Sequence, residues 1–251
     1  MKINTAKQKL AAGQPAIGTW LSLCSPVAAE YMAHMPWDWL VVDTEHSPIG
    51  FEATLHCFQA ICTTDVIPMA RVAWNDPQLI KRLLDAGAMG LVIPMVNSAE
   101  EAQRAVAAMK YPPEGTRSLG GGRATVYGDD YMTAANDQML CVVQIEHIDA
   151  VRRAEEILSV KGVDACFIGP NDLAGSMGLK PDMLVRDPRH EAAVQQVLAA
   201  AKKVGKPAGI HVATAEHANM RLEQGFRFIA LASEANFMKM GASQSLQAIG
   251  R

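Results

Sequence analysis

Residues 141–174 read CVVQIEHIDAVRRAEEILSVKGVDACFIGPNDLA, a pattern of strand, helix, strand and a turn that opens another helix. The apolar run Cys141–Val143 ends in Gln144 and Glu146, and the run Ala165–Ile168 ends in Gly169-Pro170-Asn171-Asp172. Two such strands joined by a helix lie parallel. Both carboxylates therefore stand at the carboxyl end of one sheet, where parallel sheets carry their chemistry. Two acidic oxygens meeting there suit a hard divalent cation that also holds water and a substrate oxygen, Mg²⁺ or Mn²⁺ rather than a closed zinc site. The Gly-Pro-Asn-Asp turn adds backbone N–H groups at a helix start, a seat for a small carboxylate. Taken singly, Glu146 and Asp172 would serve as well for helix caps; their joint placement favours chemistry.

The same alternation extends outward over the chain. Apolar runs at Ala16–Leu21, Trp39–Val42, Ile67–Ala70 and Gly90–Ile93 precede this stretch, Leu140–Ile145 and Ala165–Ile168 form it, and Ala208–Val212 and Phe228–Leu231 follow. Helix signals separate them. Pro26 opens one helix, and Asp76-Pro77 with Gly87 starts and stops another. Ser98 and Glu101 form a capping box. A closing helix runs from Ser233-Glu234 to about Ala248. Eight strand–helix units in 251 residues, with no composition shift to mark a linker, predict an α/β fold: one (β/α)₈ TIM barrel over residues 1–251. A doubly wound open sheet would need a Gly-rich dinucleotide turn after the first strand, and none is there. The longest irregular stretch, Tyr111 to about Tyr127, is either a functional or a flexible surface loop.

Composition narrows the function. The chain is 49% hydrophobic with a formal net charge of −3, and it shows no basic stripe, which argues against nucleic acid. No apolar run approaches the roughly 18 residues of a membrane span, and the start, MKINTAKQKLAAGQPAIG, lacks the apolar core of a signal peptide. The five cysteines are odd in number, have no close CxxC pairing and sit in apolar settings, so they read as buried reduced thiols. Cytoplasm is the expected compartment.

Further polar residues gather at strand ends. Asp43, Glu45 and His46 follow the second strand and Arg71 ends the third. In a barrel these share one mouth with Gln144, Glu146 and Asp172. A cation and Arg71 there would polarise the carbonyl of a small 2-oxo acid and hold the charge of its enolate, with His46 moving the proton directly or through water. His34, His56, His211 and His217 lack such company and read as structural or surface residues. Asp85 sits near the end of a helix, where a carboxylate opposes the dipole, a weak hint of a polar partner.

Six segments, DTEHSP, VAWNDP, IPMV, KYPPEGTRSLG, VQIE and FIGPNDLA, together resemble the HpcH/HpaI aldolases. These are class II, metal-dependent pyruvate aldolases of the 4-hydroxy-2-oxoheptanedioate and 2-dehydro-3-deoxyglucarate aldolase type. The resemblance runs from Ile17 to about Leu231. It implies a barrel whose last helix swaps to a neighbour in a hexamer, with Glu146 and Asp172 binding Mg²⁺, Mn²⁺ or Co²⁺. It implies that Gln144 and the Gly169-Pro170-Asn171-Asp172 turn contact the 2-oxo acid, that His46 is the base, that Asp85 raises its basicity, and that Arg71 stabilises the enolate. Trp20 and Arg123 match positions near the mouth. Thr44 and Ser47 depart from the family pattern, as do the Gly-rich SLGGGRATVYG segment and the Ile210-His211 pair. These loops face the aldehyde, so the pattern speaks for the donor more than for any acceptor. The expected activity is reversible cleavage of a 4-hydroxy-2-oxo acid to pyruvate, or hydroxypyruvate, and an aldehyde. The rivals are a CoA-ester lyase of the same superfamily, for which no nucleotide-binding surface stands out, and a non-catalytic 2-oxo-acid-binding protein.

Overall fold

The structure, a computed structural model, describes residues 1–250. Eight strands, β1 (Ala16–Leu21), β2 (Trp39–Asp43), β3 (Ile67–Arg71), β4 (Gly90–Ile93), β5 (Leu140–Ile145), β6 (Ala165–Ile168), β7 (Ala208–Val212) and β8 (Phe228–Ser233), close into a barrel in sequence order. Every neighbouring pair is parallel, including β1 with β8. The expected (β/α)₈ architecture is the observed one. Three strands run one or two residues further than the apolar pattern suggests, through Asp43, Arg71 and Ser233. Those residues thereby enter the ladder, and Asp43 is set directly opposite Arg71.

The helices form the outer layer. They are α1 (Thr5–Ala11), α2 (Pro26–Ala33), α3 (Phe51–Ile61), α4 (Pro77–Ala86), α5 (Ala99–Met109), α6 (Tyr131–Gln138), α7 (Ile148–Arg152), α8 (Ala154–Leu158), α9 (Pro170–Ser176), α10 (Pro188–Lys203), α11 (Ala215–Gln224) and α12 (Glu234–Ala248). The expected caps are in place. Asp76 accepts from the amides of Gln78 and Leu79, Ser98 accepts from Glu101, and Gly87 ends α4 in the left-handed region at φ 119°. The helix after β5 is broken in two at Arg153. The irregular stretch after α5 holds a short 3₁₀ turn, Gly122–Tyr127. Among the described residues no helix is long and apolar enough to cross a membrane.

The barrel interior is filled with large rings. Trp39 and Phe228 stack with centroids 4.3 Å apart, and Phe167 meets Phe228 edge-on at 5.9 Å. Gly18 makes room for this: a Cβ there would lie 2.2 Å from the Trp39 ring. At the amino end of the strands, α1 covers the barrel. The buried Asn4 caps it, accepting from the Lys7 amide, and its own amide donates to the carbonyls of Met89 and Gln138, both at 2.9 Å. The last helix is different. Within α12 only Glu234 is buried, while Met238, Met240 and Leu246 are exposed.

Candidate active site

At the carboxyl end of the strands a cavity of ≈ 360 Å³ opens, lined by Asp43, His46, Arg71, Gln144 and the Gly169–Asp172 turn among others. The strand register builds its first unit. Because Asp43 faces Arg71 across β2 and β3, the guanidinium donates twice to one carboxylate, Nε to Oδ1 at 2.9 Å and Nη2 to Oδ2 at 2.6 Å. Bidentate pairing of this kind fixes orientation as well as charge. Trp20 from β1 supports the guanidinium, its ring centroid 4.6 Å away. Burial works to raise the Asp43 carboxyl, but the Arg71 hydrogen bonds and charge, with the Glu45 and His46 amides, hold it below the usual carboxylate range. Burial likewise works against the Arg71 charge, and Asp43, Glu45 and Glu146 together outweigh it.

The second unit is acidic. Glu146 is buried at the end of β5; its Oε1 accepts from the Met95 amide at 2.8 Å and its Oε2 from the Gln144 side chain. Met95 is presented from the left-handed region at φ 52°, a conformation that a non-glycine residue adopts at a cost and that clusters at functional sites. Gly169, on the facing loop after β6, has no Cβ; one added there would sit 2.5 Å from Glu146 Oε2 and 2.9 Å from Gln144 Nε2. Burial first, and then the charges of Asp172 and Glu45, push the Glu146 carboxyl up to about 7 against the opposing Met95 amide. Burial also raises Glu45, with Arg71 and His46 opposing and Asp43 and Asp172 adding to the rise. Glu45 Oε2 lies 3.0 Å from Arg71 Nη1 yet off the hydrogen-bonding direction, so it stays a buried acceptor without a bond. The Gln144 Oε1 atom is likewise buried and unpartnered.

His46 is exposed, with its Nε2 3.8 Å from Glu45 Oε2. The acid facing it in this chain is therefore Glu45. Asp85, expected beside His46, lies elsewhere. Helix α4 returns from the end of β3 to the start of β4, so its last turn is at the amino end of the barrel, and there Asp85 Oδ1 accepts from Arg117 at 2.7 Å. Arg117 is itself sealed between Tyr111 and Tyr131. Arg123 is also away from the mouth: its guanidinium donates to the Ala86 carbonyl at 3.2 Å, at the same helix end.

Further residues line the cavity: Ser22, Phe167, Met183, Ser233, Asn236 and His211. Of these, His211 reads from sequence as a structural or surface residue for want of polar company, and by resemblance as part of an atypical Ile210-His211 pair facing the aldehyde; the structure puts it in the cavity wall. Its ring stacks on Trp20 with centroids 6.0 Å apart and planes 24° from parallel. Burial first, then the charges of Arg71 and His217, push it down to about 4. The available signal was position: like Gln144 in β5, His211 is the penultimate residue of its barrel strand.

The family model described as HpcH/HpaI aldolase/citrate lyase matches residues 16–239. The chain belongs to that family. It is similar to the 4-hydroxy-2-oxo-heptane-1,7-dioate aldolase of Shigella flexneri, 40% identical over 243 residues that cover 95% of this chain and 90% of that one. The enzyme of the same name from Klebsiella pneumoniae is 41% identical over 95% of this chain and 91% of its own. Among solved structures, an HpcH/HpaI aldolase/citrate lyase family protein from Burkholderia cenocepacia superposes with a TM-score of 0.94 at 36% identity, covering 99% of this chain and all of that one. As an HpcH/HpaI family member, the chain is a carbon–carbon lyase of the aldolase type.

Proposed function

We propose that this aldolase is metal-dependent and reversibly cleaves 4-hydroxy-2-oxo acids to pyruvate, or a close analogue such as hydroxypyruvate, and an aldehyde through an enolate. The observation that supports this most is the environment of Glu146. A carboxylate pushed up to about 7 by burial and by two neighbouring acids, beside an unpartnered Gln144 oxygen, is a donor set short of a positive charge. Glu146 and Asp172 fit a divalent cation there; Gly169 keeps the approach to Glu146 clear. Two carboxylate ligands would leave the remaining positions around such a cation to substrate oxygens and water. A bound Mg²⁺, Mn²⁺ or Co²⁺ would supply Lewis-acid polarisation of the 2-oxo group.

The chain's own groups do the rest. Arg71, preset by Asp43 and Trp20, holds the negative charge that develops on the 2-oxo oxygen without reorganising at that moment. His46, open to the cavity and facing Glu45, takes the proton from the 4-hydroxyl in cleavage and returns it in addition. Gln144 and the amides of Asn171 and Asp172 seat the substrate carboxylate. The substrate class follows from the activity of the 4-hydroxy-2-oxo-heptane-1,7-dioate aldolases to which the chain is similar. Its assembly into a hexamer through a swapped last helix, implied by the family resemblance, is in keeping with the exposed methionines of α12.

The test is deuterium exchange of the pyruvate methyl protons by NMR, on protein treated with EDTA and then given Mg²⁺, Mn²⁺ or Co²⁺. Metal-restored exchange is the expected result. Absence of exchange with every metal, on folded protein, removes pyruvate as donor, and turnover of malyl-CoA alone would favour the CoA-ester lyases.

A further inference from the structure

The cavity has a second wall that the enolate chemistry leaves unused. His211 at the end of β7, Ser233 at the end of β8, Ser22 after β1 and Asn236 in the first turn of α12 line it together. They occupy the β7–β8–β1 arc of the ring, whereas Arg71, Gln144 and Glu146 belong to β3 and β5 or follow it. The wall is held firmly. Glu234, buried, accepts from the amides of Ser22 and Leu23, tying α12 to the loop after β1. His211 is clamped against Trp20, which also carries Arg71. Among the described residues nothing hydrogen-bonds either ring nitrogen of His211, and the ring borders the open cavity. The side chains of this arc that line the cavity carry no fixed charge, Glu234 being turned to the Ser22 and Leu23 amides behind them, and burial and the Arg71 charge oppose protonation of the imidazole. A neutral imidazole offers one donor and one acceptor. That is the complement of an alcohol, which both donates and accepts, whereas a carboxylate only accepts and would leave the acceptor nitrogen of the ring unpaired.

We propose that His211 is a specificity-determining residue that hydrogen-bonds a substrate hydroxyl next to the carbon–carbon bond being made or broken, so that this chain acts on hydroxylated partners. The inference rests on the aldolase reading given above. The hydroxyl has two possible sources, the C3 hydroxyl of hydroxypyruvate as donor or the C2 hydroxyl of a hydroxyaldehyde as acceptor. In both cases the ring binds an oxygen that takes no part in the bond change and selects for it. A site whose buried polar group is left unpaired by the deoxy analogue discriminates against that analogue.

The experiment compares His211→Leu with the full-length wild-type protein on four pairings: pyruvate or hydroxypyruvate as donor, each with acetaldehyde or glycolaldehyde as acceptor. The readout is kcat/KM for addition, taken as the ratio of hydroxylated to deoxy partner so that intrinsic reactivity cancels between variants. The wild-type ratio should exceed that of H211L by roughly five- to tenfold, the worth of one neutral hydrogen bond, in the donor arm or in the acceptor arm, and the arm that moves identifies the source. His211→Asn or His211→Gln, which return an amide donor and acceptor near one ring nitrogen, should restore part of it. Ratios unchanged in both arms, in an active enzyme, overturn the role of His211 and leave the aldolase reading standing. A folded, metal-loaded wild-type protein that turns over none of the four pairings removes the aldolase reading, and this inference with it.

Discussion

Replacing Gly169 by alanine isolates the packing that holds the acidic centre. The backbone at Gly169, φ −91° and ψ 97°, is open to any L-residue, so the substitution carries no torsional penalty. The cost is steric. The new Cβ meets Glu146 Oε2 at 2.5 Å, Gln144 Nε2 at 2.9 Å and Glu146 Cβ at 3.2 Å. Neither side chain can swing aside cheaply, since both are buried and Glu146 is held by the Met95 amide. Overpacking of this kind costs about 1–3 kcal/mol, or roughly 2–12 °C in Tm for a domain of this size. Displacing Glu146 should also weaken Mn²⁺ binding by about 10–100-fold, the usual effect of disturbing what supports a metal ligand. Gly175→Ala is the control, because nothing lies within 4 Å of its added Cβ and alanine favours the helix. Thermal melting by circular dichroism and Mn²⁺ titration by electron paramagnetic resonance give the two readouts. A G169A protein that melts with the wild type and binds Mn²⁺ equally well would refute the assignment of Gly169 as the clearance for Glu146.

Arg71→Ala should lower kcat by about 10²–10³-fold, as loss of a preorganised oxyanion donor does, and should also lower Tm, because it strands the buried Asp43 charge. The double variant Asp43→Asn/Arg71→Ala should recover much of the Tm and none of the activity; recovery of both would place Arg71 outside the chemistry. Cation binding near pH 7 should release protons, since burial pushes the Glu146 carboxyl up to about 7 and it binds a cation only as the carboxylate. The sign follows: affinity falls as pH drops below 7, and calorimetry in buffers of different ionisation enthalpy would show the released proton. In the metal-free protein the same raised carboxyl makes stability fall as pH rises from the ordinary glutamate value through about 7, and saturating Mg²⁺ should flatten that slope. Asn4→Ala, at the far end of the barrel, removes a helix cap and leaves the Gln138 carbonyl without its donor, while the Met89 carbonyl keeps the Leu140 amide, a cost of about 2–4 kcal/mol. It should lower Tm while kcat at 25 °C stays at the wild-type value.

The strands and most caps were legible in the sequence because each apolar run is short, buried on both faces and bounded by turn chemistry. The carboxyl-end rule then collected Asp43, Glu45, His46, Arg71, Gln144, Glu146 and Asp172 at one mouth without any knowledge of distance. What local pattern could not supply was which end of a helix a residue belongs to in space. Asp85 did signal a need for a polar partner, but the partner is Arg117, at the opposite end of the barrel from His46. His211 was legible only as a departure from the family pattern, not as a polar group of the mouth, for the reverse reason. Flanked by Ile210 and Val212, it looks like a core histidine, and only closure of the ring brings it against Trp20. The carboxylate that orients Arg71 was visible as Asp43, yet its pairing depends on a one-residue register between β2 and β3 that apolar patterning does not encode.

The seam between β1 and β8 bears on how this protein is made in the cell. Ala16 pairs with Phe228 and Trp20 with Ser233, and the Thr19 hydroxyl donates to the Leu231 carbonyl across 212 positions of chain. Of the eight barrel strands, β1 is synthesised first and is the last to gain its second neighbour. Until β8 has left the ribosome, the Ala16–Leu21 edge stands open, apolar and able to pair with another nascent chain. Sequence-distant contacts of this kind slow folding. The edge therefore stays unpaired from the synthesis of Trp20 until Ser233 is clear of the ribosome.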